Sequence, residues 1–380
     1  MVAQIATSSL RQDRQTDVMK VCEGVEPLEF DKQFALFHQD RQQLVELNDT
    51  ARLIWKRLAA GEPGGAAVVS LMDQGAGPEQ ARQYVSDALQ RWLSEGWLAP
   101  AVLPELLDAV PQTTVGLSIL GIGFRVVLHG GPTPAGVVDL LAPLQGQAPE
   151  KHRLDLVGWD NRHLLLIDLR SRGLFDPEEI APAIKAALTE RLAHAVADSF
   201  LAHGALLDSG GDRLLLAGAP GAGKSTLAMA LVEAGFDCLC DDIVQVHADG
   251  QMQGAPFAPT LKSGAWPLLP SLALERLPIH RRADGRQVRY LPASISVAGA
   301  RPLTHFVALS RQAAGAAELT PLSGLEAMRM VLEGGLAASG QISAAEVGRL
   351  AGTLAGASCQ GLRYSNLPDA VQTLNRLVRG

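Results

Sequence analysis

One glycine-rich segment, Gly218–Thr226, constrains the fold more than any other feature of the chain. The apolar run Arg213–Ala217 before it is typical of a buried strand, and Leu227–Ala234 after it is typical of a helix. The segment reads GAPGAGKST and fits the G-x-x-x-x-G-K-S pattern in the strand–loop–helix context that the pattern requires. Glycines let backbone N–H groups turn onto phosphate oxygens, and the helix N-terminus favours anions. The segment therefore predicts a nucleotide phosphate site in an α/β domain.

Two side chains of this segment have specific roles in the prediction. Lys224 is expected to place its positive charge on the outer phosphates, and Ser225 is expected to offer its hydroxyl to Mg²⁺. The motif indicates a phosphate site, but it does not indicate which reaction follows or which residue reads the base. The predicted phosphate-binding residues are Gly218, Gly221, Ala222, Gly223, Lys224, Ser225 and Thr226.

A pair of acids narrows the chemistry. The apolar run Phe236–Cys240 predicts a strand, and it ends in Asp241 and Asp242, 17 residues after Lys224. One helix and one strand fit into that spacing, so both carboxylates are expected beside the phosphate loop. At that position one carboxylate is suited to bind Mg²⁺, and the other is suited to accept the proton of an attacking hydroxyl. The alternative is that the two acids only open a turn.

Composition excludes several classes of protein. The chain has 33 basic and 40 acidic residues, a net charge of −7, which argues against a general nucleic-acid or anionic-membrane binder. No apolar run approaches the roughly 18 residues of a membrane span, and the first 20 residues lack a signal-peptide pattern. The four cysteines are too few and too scattered for a disulfide framework. A cytoplasmic, reducing location is the expectation.

The chain divides into five parts by pattern. The N-terminal strands are predicted at Pro27–Phe30, Phe34–His38 and Gln43–Leu47. They precede predicted helices at Thr50–Leu58, Ala66–Met72 and Pro78–Gly96. A further long helix is predicted at Asp176–Ala197. The predicted parts are a flexible N-terminus (1–20), a small strand-and-helix module (21–100), a linker with a short helix (101–112), a β-rich accessory part with the long helix (113–200) and a catalytic part (201–380).

The order of motifs over Ala202–Val246 resembles a known family. The series His-Gly-x-Leu-x-Asp from His203, a hairpin, the phosphate loop, a helix and Asp-Asp is similar to the core of bacterial HPr kinase/phosphorylases. These are Ser kinases with a phosphoenolpyruvate-carboxykinase type of P-loop fold. The resemblance implies ATP and Mg²⁺ as cofactors and hints at a homo-oligomer. It also implies that Asp241 is the catalytic base, that Asp242 binds Mg²⁺ with Ser225, and that His203 contacts and tunes Asp241.

Downstream of the acid pair the sequence departs from the true HPr enzymes. Their R-G-x-G type of segment is missing, and Pro256–Trp266 and Val288–Pro292 are similar instead to HPr-kinase-related enzymes of peptide-modification gene clusters. The resemblance therefore does not imply that HPr is the substrate or that the reverse phosphorylase reaction occurs. Lys262 lies in a Pro/Gly-rich loop and is a candidate for binding substrate or phosphate. Arg289 is a second candidate for phosphate; the alternative for it is a solvated arginine.

Residues 22–98 resemble the PqqD-like peptide-binding modules of ribosomal peptide modification. The stretch Val45–Trp55, VELNDTARLIW, matches a family pattern close to h-x-L-N-x-T-A-x-x-I, and Leu89–Leu98 fits the closing stretch. A small sheet has an exposed edge on which an extended peptide can pair. The predicted groove lies between Gln42–Leu47 and the helix Pro78–Trp92, with Val45 and Leu47 as docking residues. The alternative is a docking or dimerisation domain that binds no peptide.

Together these patterns predict a mixed α+β and α/β chain, in which a winged-helix-like PqqD module precedes a P-loop kinase domain of the HPr-kinase type. The expected function is ATP-dependent transfer of phosphate to a serine-type hydroxyl of a ribosomally made precursor peptide. The expected partners are that peptide and a nucleotide, with no nucleic acid and no membrane. Two alternatives stay open: a kinase of a free small molecule such as an amino acid, and an ATP-binding peptide chaperone or ATPase without phosphoryl transfer.

Overall fold

A computed structural model describes residues 19–31, 33–101, 107, 112–130, 133–134, 136–159, 161–196, 200–292, 295–333 and 342–380. The chain forms two compact units. The first comprises residues 1–115, 125–133 and 152–180, and the second comprises residues 116–124, 134–151 and 181–380. Among the described residues, no helix is long and apolar enough to cross a membrane.

The strands of the first 180 residues are β1 (Met19–Val21), β2 (Val25–Phe30), β3 (Gln33–His38), β4 (Gln43–Leu47), β5 (Leu98–Pro100), β6 (Gln112–Ile119), β7 (Ile122–His129), β8 (Glu150–Trp159), β9 (Arg162–Ile167) and β10 (Arg170–Phe175). The helices there are α1 (Asp49–Ala59), α2 (Gly64–Asp73), α3 (Pro78–Ser94) and the short α4 (Val137–Leu141). Strands β2, β3 and β4 form one antiparallel sheet in that order, so β4 lies at its edge.

The helices of the N-terminal module begin and pack as their sequences predict. The Asn48 side chain accepts a hydrogen bond from the backbone N–H of Ala51 and caps α1. The apolar faces of α1 and α3 meet through Trp55 and Trp92, whose rings lie edge to face with centroids 5.2 Å apart. Four residues of the accessory strands join the same core, so the module does not end at β5. These are Val157, Leu164, Leu166 and Leu174.

The later helices are α5 (Ile180–Ala195), α6 (Lys224–Glu233), α7 (Gly324–Glu333), α8 (Ala344–Ala355) and α9 (Leu367–Arg379). The later strands are β11 (Phe200–His203), β12 (Ala205–Ser209), β13 (Asp212–Ala217), β14 (Asp237–Cys240), β15 (Ile243–Val246), β16 (Met252–Gly254), β17 (Thr260–Lys262), β18 (His280–Arg281), β19 (Gln287–Tyr290), β20 (His305–Arg311), β21 (Glu318–Pro321) and β22 (Ser358–Tyr364).

A six-stranded sheet in the order β14-β12-β13-β20-β22-β21 forms the centre of the second unit. Strands β13, β20 and β22 run parallel to one another. Side chains alternate across β13: Leu214 and Leu216 pack in one core with α6 and α9, and Leu215 and Ala217 pack in another with α7 and α8. The sheet is thus covered on both faces, as parallel strands require.

The predicted fold class, a mixed α+β and α/β chain that begins with a small strand-and-helix module, is confirmed. The strand before the phosphate loop and the helix after it lie within a few residues of their predicted bounds, Arg213–Ala217 and Leu227–Ala234. The long helix begins at Ile180 rather than at Asp176. Most of the predicted linker, and residues 1–18 of the predicted flexible N-terminus, lie outside the described residues. Met19 and Lys20 pair with the end of β5 in a two-stranded ladder.

Candidate active site

The phosphate loop has the backbone that its glycines predict. Gly218, Gly221 and Gly223 have φ angles of +147°, +91° and +96°, in the region that L-residues avoid. The loop follows β13 directly, and Gly223 is the N-cap of α6. Backbone N–H groups and the positive end of the helix therefore face the same point, which suits a phosphate group.

Lys224 is held inside this loop. Its Nζ donates to the carbonyl of Gly218 at 2.7 Å and lies 3.5 Å from that of Ala219. Burial, with the charge of Lys262 nearby, lowers the pKa of Lys224. Two cations thus lie close enough to repel each other, and an anion between them relieves that repulsion. This arrangement fits the phosphate roles predicted for Lys224 and Lys262.

An aromatic residue from a distant strand supports the same loop. The hydroxyl of Tyr364, at the end of β22, donates to the carbonyl of Ala222 at 2.8 Å. The guanidinium of Arg311, at the end of β20, lies 5.4 Å from the Tyr364 ring centroid. Neither residue belongs to a sequence motif, and only the parallel order β13-β20-β22 brings these strand ends to the phosphate loop.

The acid pair lies at the same edge of the sheet as the phosphate loop. Strand β12 is antiparallel to both β13 and β14, so these two strands point the same way and their carboxyl ends meet at one edge. The phosphate loop follows one strand end and Asp241 follows the other. The prediction that the acids lie at a strand end beside the loop is therefore confirmed, with β12 between the two strands.

Asp242 is held by a lysine and a histidine. The Nζ of Lys185, on α5, lies 2.9 Å from its Oδ2, and Nδ1 of His203 lies 2.8 Å from its Oδ1 and 3.0 Å from its main-chain oxygen. The prediction that His203 contacts Asp241 is wrong: it contacts Asp242. Burial disfavours the charged carboxylate, but Lys185 and then His203 outweigh it and hold the pKa of Asp242 well below its usual range.

Asp241 has different surroundings. It is buried, its Oδ2 accepts the backbone N–H of Thr260 at 2.8 Å, and the nearby Ser225 side chain acts to lower its pKa. Its Oδ1 is buried and has no hydrogen-bond partner among the described residues. Burial raises the pKa of Asp241, although the charge of Lys185 opposes that change. Neighbouring carboxylates with opposite pKa shifts are typical of acid and base groups in active sites.

The donor set fits a Mg²⁺ ion held jointly with phosphate oxygens. Mg²⁺ prefers oxygen ligands and usually takes only one or two carboxylates from the protein. Ser225 and Asp242 supply such oxygens, and the buried Oδ1 of Asp241, which has no partner among the described residues, can take either a cation or a proton. In the described part of the chain, no group of three or more His, Cys, Asp or Glu residues forms a metal site by itself.

Lys262 and Arg289 lie on neighbouring strands. In the ladder of β17 and β19, Lys262 is opposite Val288 and Arg289 is opposite Leu261. Lys262 is partly buried, and its charge contributes to the lowered pKa of Lys224. The guanidinium of Arg289 stacks 4.2 Å from the Trp266 ring centroid. That stacking gives Arg289 a packing role; its predicted phosphate role stays a prediction.

The predicted docking strand lies at the edge of the N-terminal sheet. Along β4, Val45 is partly buried against the core and Leu47 is buried, whereas Leu44 on the opposite face is 63% exposed. Val45 and Leu47 therefore anchor the strand to the module. Among the described residues β4 pairs with β3 alone, so its other backbone edge and Leu44 are the candidate surface for the predicted peptide.

Comparison with known proteins defines the N-terminal module. Residues 33–98 match the protein family described as Coenzyme PQQ synthesis protein D (PqqD), so the chain contains a PqqD domain there. That match covers less than a fifth of the 380 residues. No curated protein sequence matches the chain.

Two solved structures are similar to parts of the chain. One is TbiB1 in complex with the TbiA(beta) leader peptide, at 18% identity and a TM-score of 0.20, covering 21% of this chain and 93% of that chain. The other is the Hpr(Ser) kinase/phosphatase from Coxiella burnetii, at 13% identity and a TM-score of 0.23, covering 47% of this chain and 95% of that chain. Similarity at this level carries no argument about activity.

Proposed function

We propose that the chain is an ATP-dependent kinase that phosphorylates a serine-type hydroxyl of a ribosomally made precursor peptide. The observation that carries this proposal is the convergence of the phosphate loop, Lys224 and the Asp241–Asp242 pair at one sheet edge. Phosphoryl transfer depends mainly on positioning and on charge stabilisation, and this edge supplies both. The PqqD domain at residues 33–98 supports a peptide as the substrate.

The reaction assigns one role to each carboxylate. The substrate hydroxyl oxygen attacks the γ-phosphorus, a new P–O bond forms, and the bond to the β–γ bridging oxygen breaks, with its electron pair leaving on ADP. Asp241 takes the hydroxyl proton on its unpaired Oδ1, and its raised pKa suits a base. Asp242 stays ionised and binds the metal with Ser225. Mg²⁺, when bound, neutralises charge on the phosphate oxygens.

The remaining cations stabilise charge on the transferring group. Lys224 lies within the phosphate loop, and Lys262 approaches it from β17. Positive charge in a partly buried site is worth more than in water, because the effective dielectric constant is lower. His203 is the orienting group of Asp242, since its Nδ1 contacts two oxygens of that residue.

The PqqD domain provides substrate selection. An extended leader peptide pairs with the backbone edge of β4 and lies against the outward face at Leu44. Tethering the leader raises the local concentration of the phosphorylated segment at the kinase edge. Removal of residues 1–100 should therefore raise KM for a long peptide more than it lowers kcat, although that cut also removes part of a shared core. Leu44→Arg tests the same role without that complication.

Intact-mass spectrometry tests the proposal directly. The protein, ATP and Mg²⁺ are incubated with the small peptide encoded beside its gene, with Asp241→Asn as the inactive control. The expected result is a gain of one phosphate that is absent from the control, with the modified residue identified by fragmentation. ATP consumption without a gain in peptide mass refutes peptide phosphorylation. Free hydroxy amino acids are then tested, and hydrolysis alone indicates a chaperone-type ATPase.

A further inference from the structure

A buried lysine outside every motif of the sequence joins the two active-site carboxylates. Lys185 lies on α5 and is only 8% exposed. Its Nζ is 2.9 Å from Oδ2 of Asp242 and donates to Oγ1 of Thr260, also at 2.9 Å. The ammonium lies 5.6 Å from the Phe257 ring centroid. An ammonium that is buried in this way is costly unless it is paired, so these contacts fix its position.

Thr260 extends the contact to the second carboxylate. Its side chain accepts from Lys185, while its backbone N–H donates to Oδ2 of Asp241 at 2.8 Å. One side chain therefore holds Asp242 directly and Asp241 through a single intervening residue. Thr260 also begins β17, the strand that carries Lys262 two residues further on.

We propose that Lys185 is a positioning residue that sets the relative placement of Asp241, Asp242 and β17 for the proposed phosphoryl transfer. The inference rests on the proposed function. Lys185 itself touches neither phosphate nor substrate in this assignment, because its Nζ is occupied by Asp242 and Thr260. It acts by fixing which oxygens of the two carboxylates face the phosphate loop.

The arrangement around Asp242 explains why a cation is needed at this position. His203 fixes Oδ1 from β11, and Lys185 fixes Oδ2 from α5, so the carboxylate plane is held from two sides. Lys224 also interacts with both aspartates. Without the Lys185 ammonium, the Asp242 carboxylate is free to turn toward Lys224. It then competes with the phosphates for the Lys224 ammonium. Loss of such orienting partners typically lowers metal affinity or activity by about 10- to 100-fold.

The test uses three variants and one control. Lys185→Met removes the charge and keeps the length, Lys185→Arg keeps the charge, and Thr260→Val removes the hydroxyl but keeps the N–H that holds Asp241. Lys151→Met is the control, because Lys151 is exposed and, within the described part of the chain, its Nζ donates to the carbonyl of Ala195, away from both carboxylates. The first readout is the affinity for a fluorescent N-methylanthraniloyl ATP with increasing Mg²⁺ and without peptide. The second is kcat and KM for peptide phosphorylation, and the third is the melting temperature.

Lys185→Met is expected to reduce the gain in nucleotide affinity caused by Mg²⁺ by about 10-fold or more, and to lower kcat by about 100-fold with KM for the peptide little changed. Lys185→Arg should recover part of both effects, Thr260→Val should lose several-fold in kcat, and Lys151→Met should match the wild type. Unchanged Mg²⁺ dependence and kcat in Lys185→Met overturn the inference. The inference is also overturned if Lys185→Met and Lys185→Arg lose kcat equally and the loss follows a lowered melting temperature. That pattern is expected of a residue with a purely structural role. A wild-type protein that binds the nucleotide with Mg²⁺ but phosphorylates no peptide refutes the proposed function instead, and the Mg²⁺ readout still tests Lys185.

Discussion

Gly223→Ala is the substitution whose cost follows most directly from the structure. Gly223 has a φ of +96°, and a Cβ built there lies 2.4 Å from the hydroxyl oxygen of Tyr364. That hydroxyl donates to the carbonyl of Ala222 at 2.8 Å, so it cannot move away without losing the bond. An alanine therefore introduces both backbone strain and a steric clash in the centre of the phosphate loop.

The magnitude has two parts. Left-handed backbone at an L-residue costs about 1–2 kcal/mol, and loss of the Tyr364 hydrogen bond adds about 1 kcal/mol. The total of about 2–3 kcal/mol corresponds to a fall in melting temperature of about 4–12 °C for a unit of this size. Nucleotide binding should fall as well, since the displaced backbone carries the phosphate-binding N–H groups.

The chain offers a matched control and a rescue. Gly221 has a similar φ of +91°, but a Cβ there meets no atom of the described residues within 4 Å, so Gly221→Ala carries only the strain. Tyr364→Phe removes the clashing hydroxyl. Gly223→Ala combined with Tyr364→Phe should therefore be less destabilised than the sum of the two single variants, by about 1 kcal/mol. Differential scanning fluorimetry and titration with labelled ATP measure both quantities. Additive single effects, or equal losses in the two alanine variants, refute the steric explanation.

Three further predictions concern other parts of the chain. Arg213 is fully buried and donates to the carbonyls of Met252 (2.5 Å) and Gly299 (2.8 Å). Arg213→Met should therefore lower the free energy of unfolding, measured by urea titration, by about 3–5 kcal/mol. The control is Arg301→Met, which should cost less than about 0.5 kcal/mol because the Arg301 side chain is 58% exposed. Burial lowers the pKa of His38, so the folded state protonates His38 less readily than the unfolded state does. The free energy of unfolding should therefore fall as the pH drops below about 6.5, by at most about 1.4 kcal/mol per pH unit. His38→Phe should reduce that slope. Burial raises the pKa of the Cys22 thiol to about 11 and that of Cys240 to about 12, and all four cysteines are buried, so a disulfide reagent should titrate no thiol in the native protein and four after unfolding.

Each of these three predictions has a contrary result. Equal losses for the two arginine variants would show that burial does not decide the cost at Arg213. An unchanged pH slope in His38→Phe would assign the acid sensitivity to other groups, such as His163 and His305, whose pKa values are also lowered by burial. A thiol that reacts rapidly in the native protein would show that the segment around it opens locally.

Local sequence patterns determined the elements of this protein. Glycines with a lysine between an apolar strand and a helix predicted the phosphate loop, because few backbone paths turn N–H groups onto a phosphate. Apolar patterns predicted three strands and three helices of the N-terminal module to within a few residues. Asp241 and Asp242 were placed beside the loop by chain spacing, since one helix and one strand leave few routes between them.

The partners of those side chains were decided only by tertiary structure. The sequence analysis paired His203 with Asp241, whereas the register of β11 against β15 places it on Asp242. Lys185 lies 57 residues before Asp242, on a helix with no motif. Tyr364 lies 122 residues after Asp242, on β22. Packing of α5 and the order of parallel strands bring them to the site. Local backbone preference extends over a few residues, so it predicts elements. The contacts of a buried charge depend on how distant elements pack, and no short stretch of sequence contains that information.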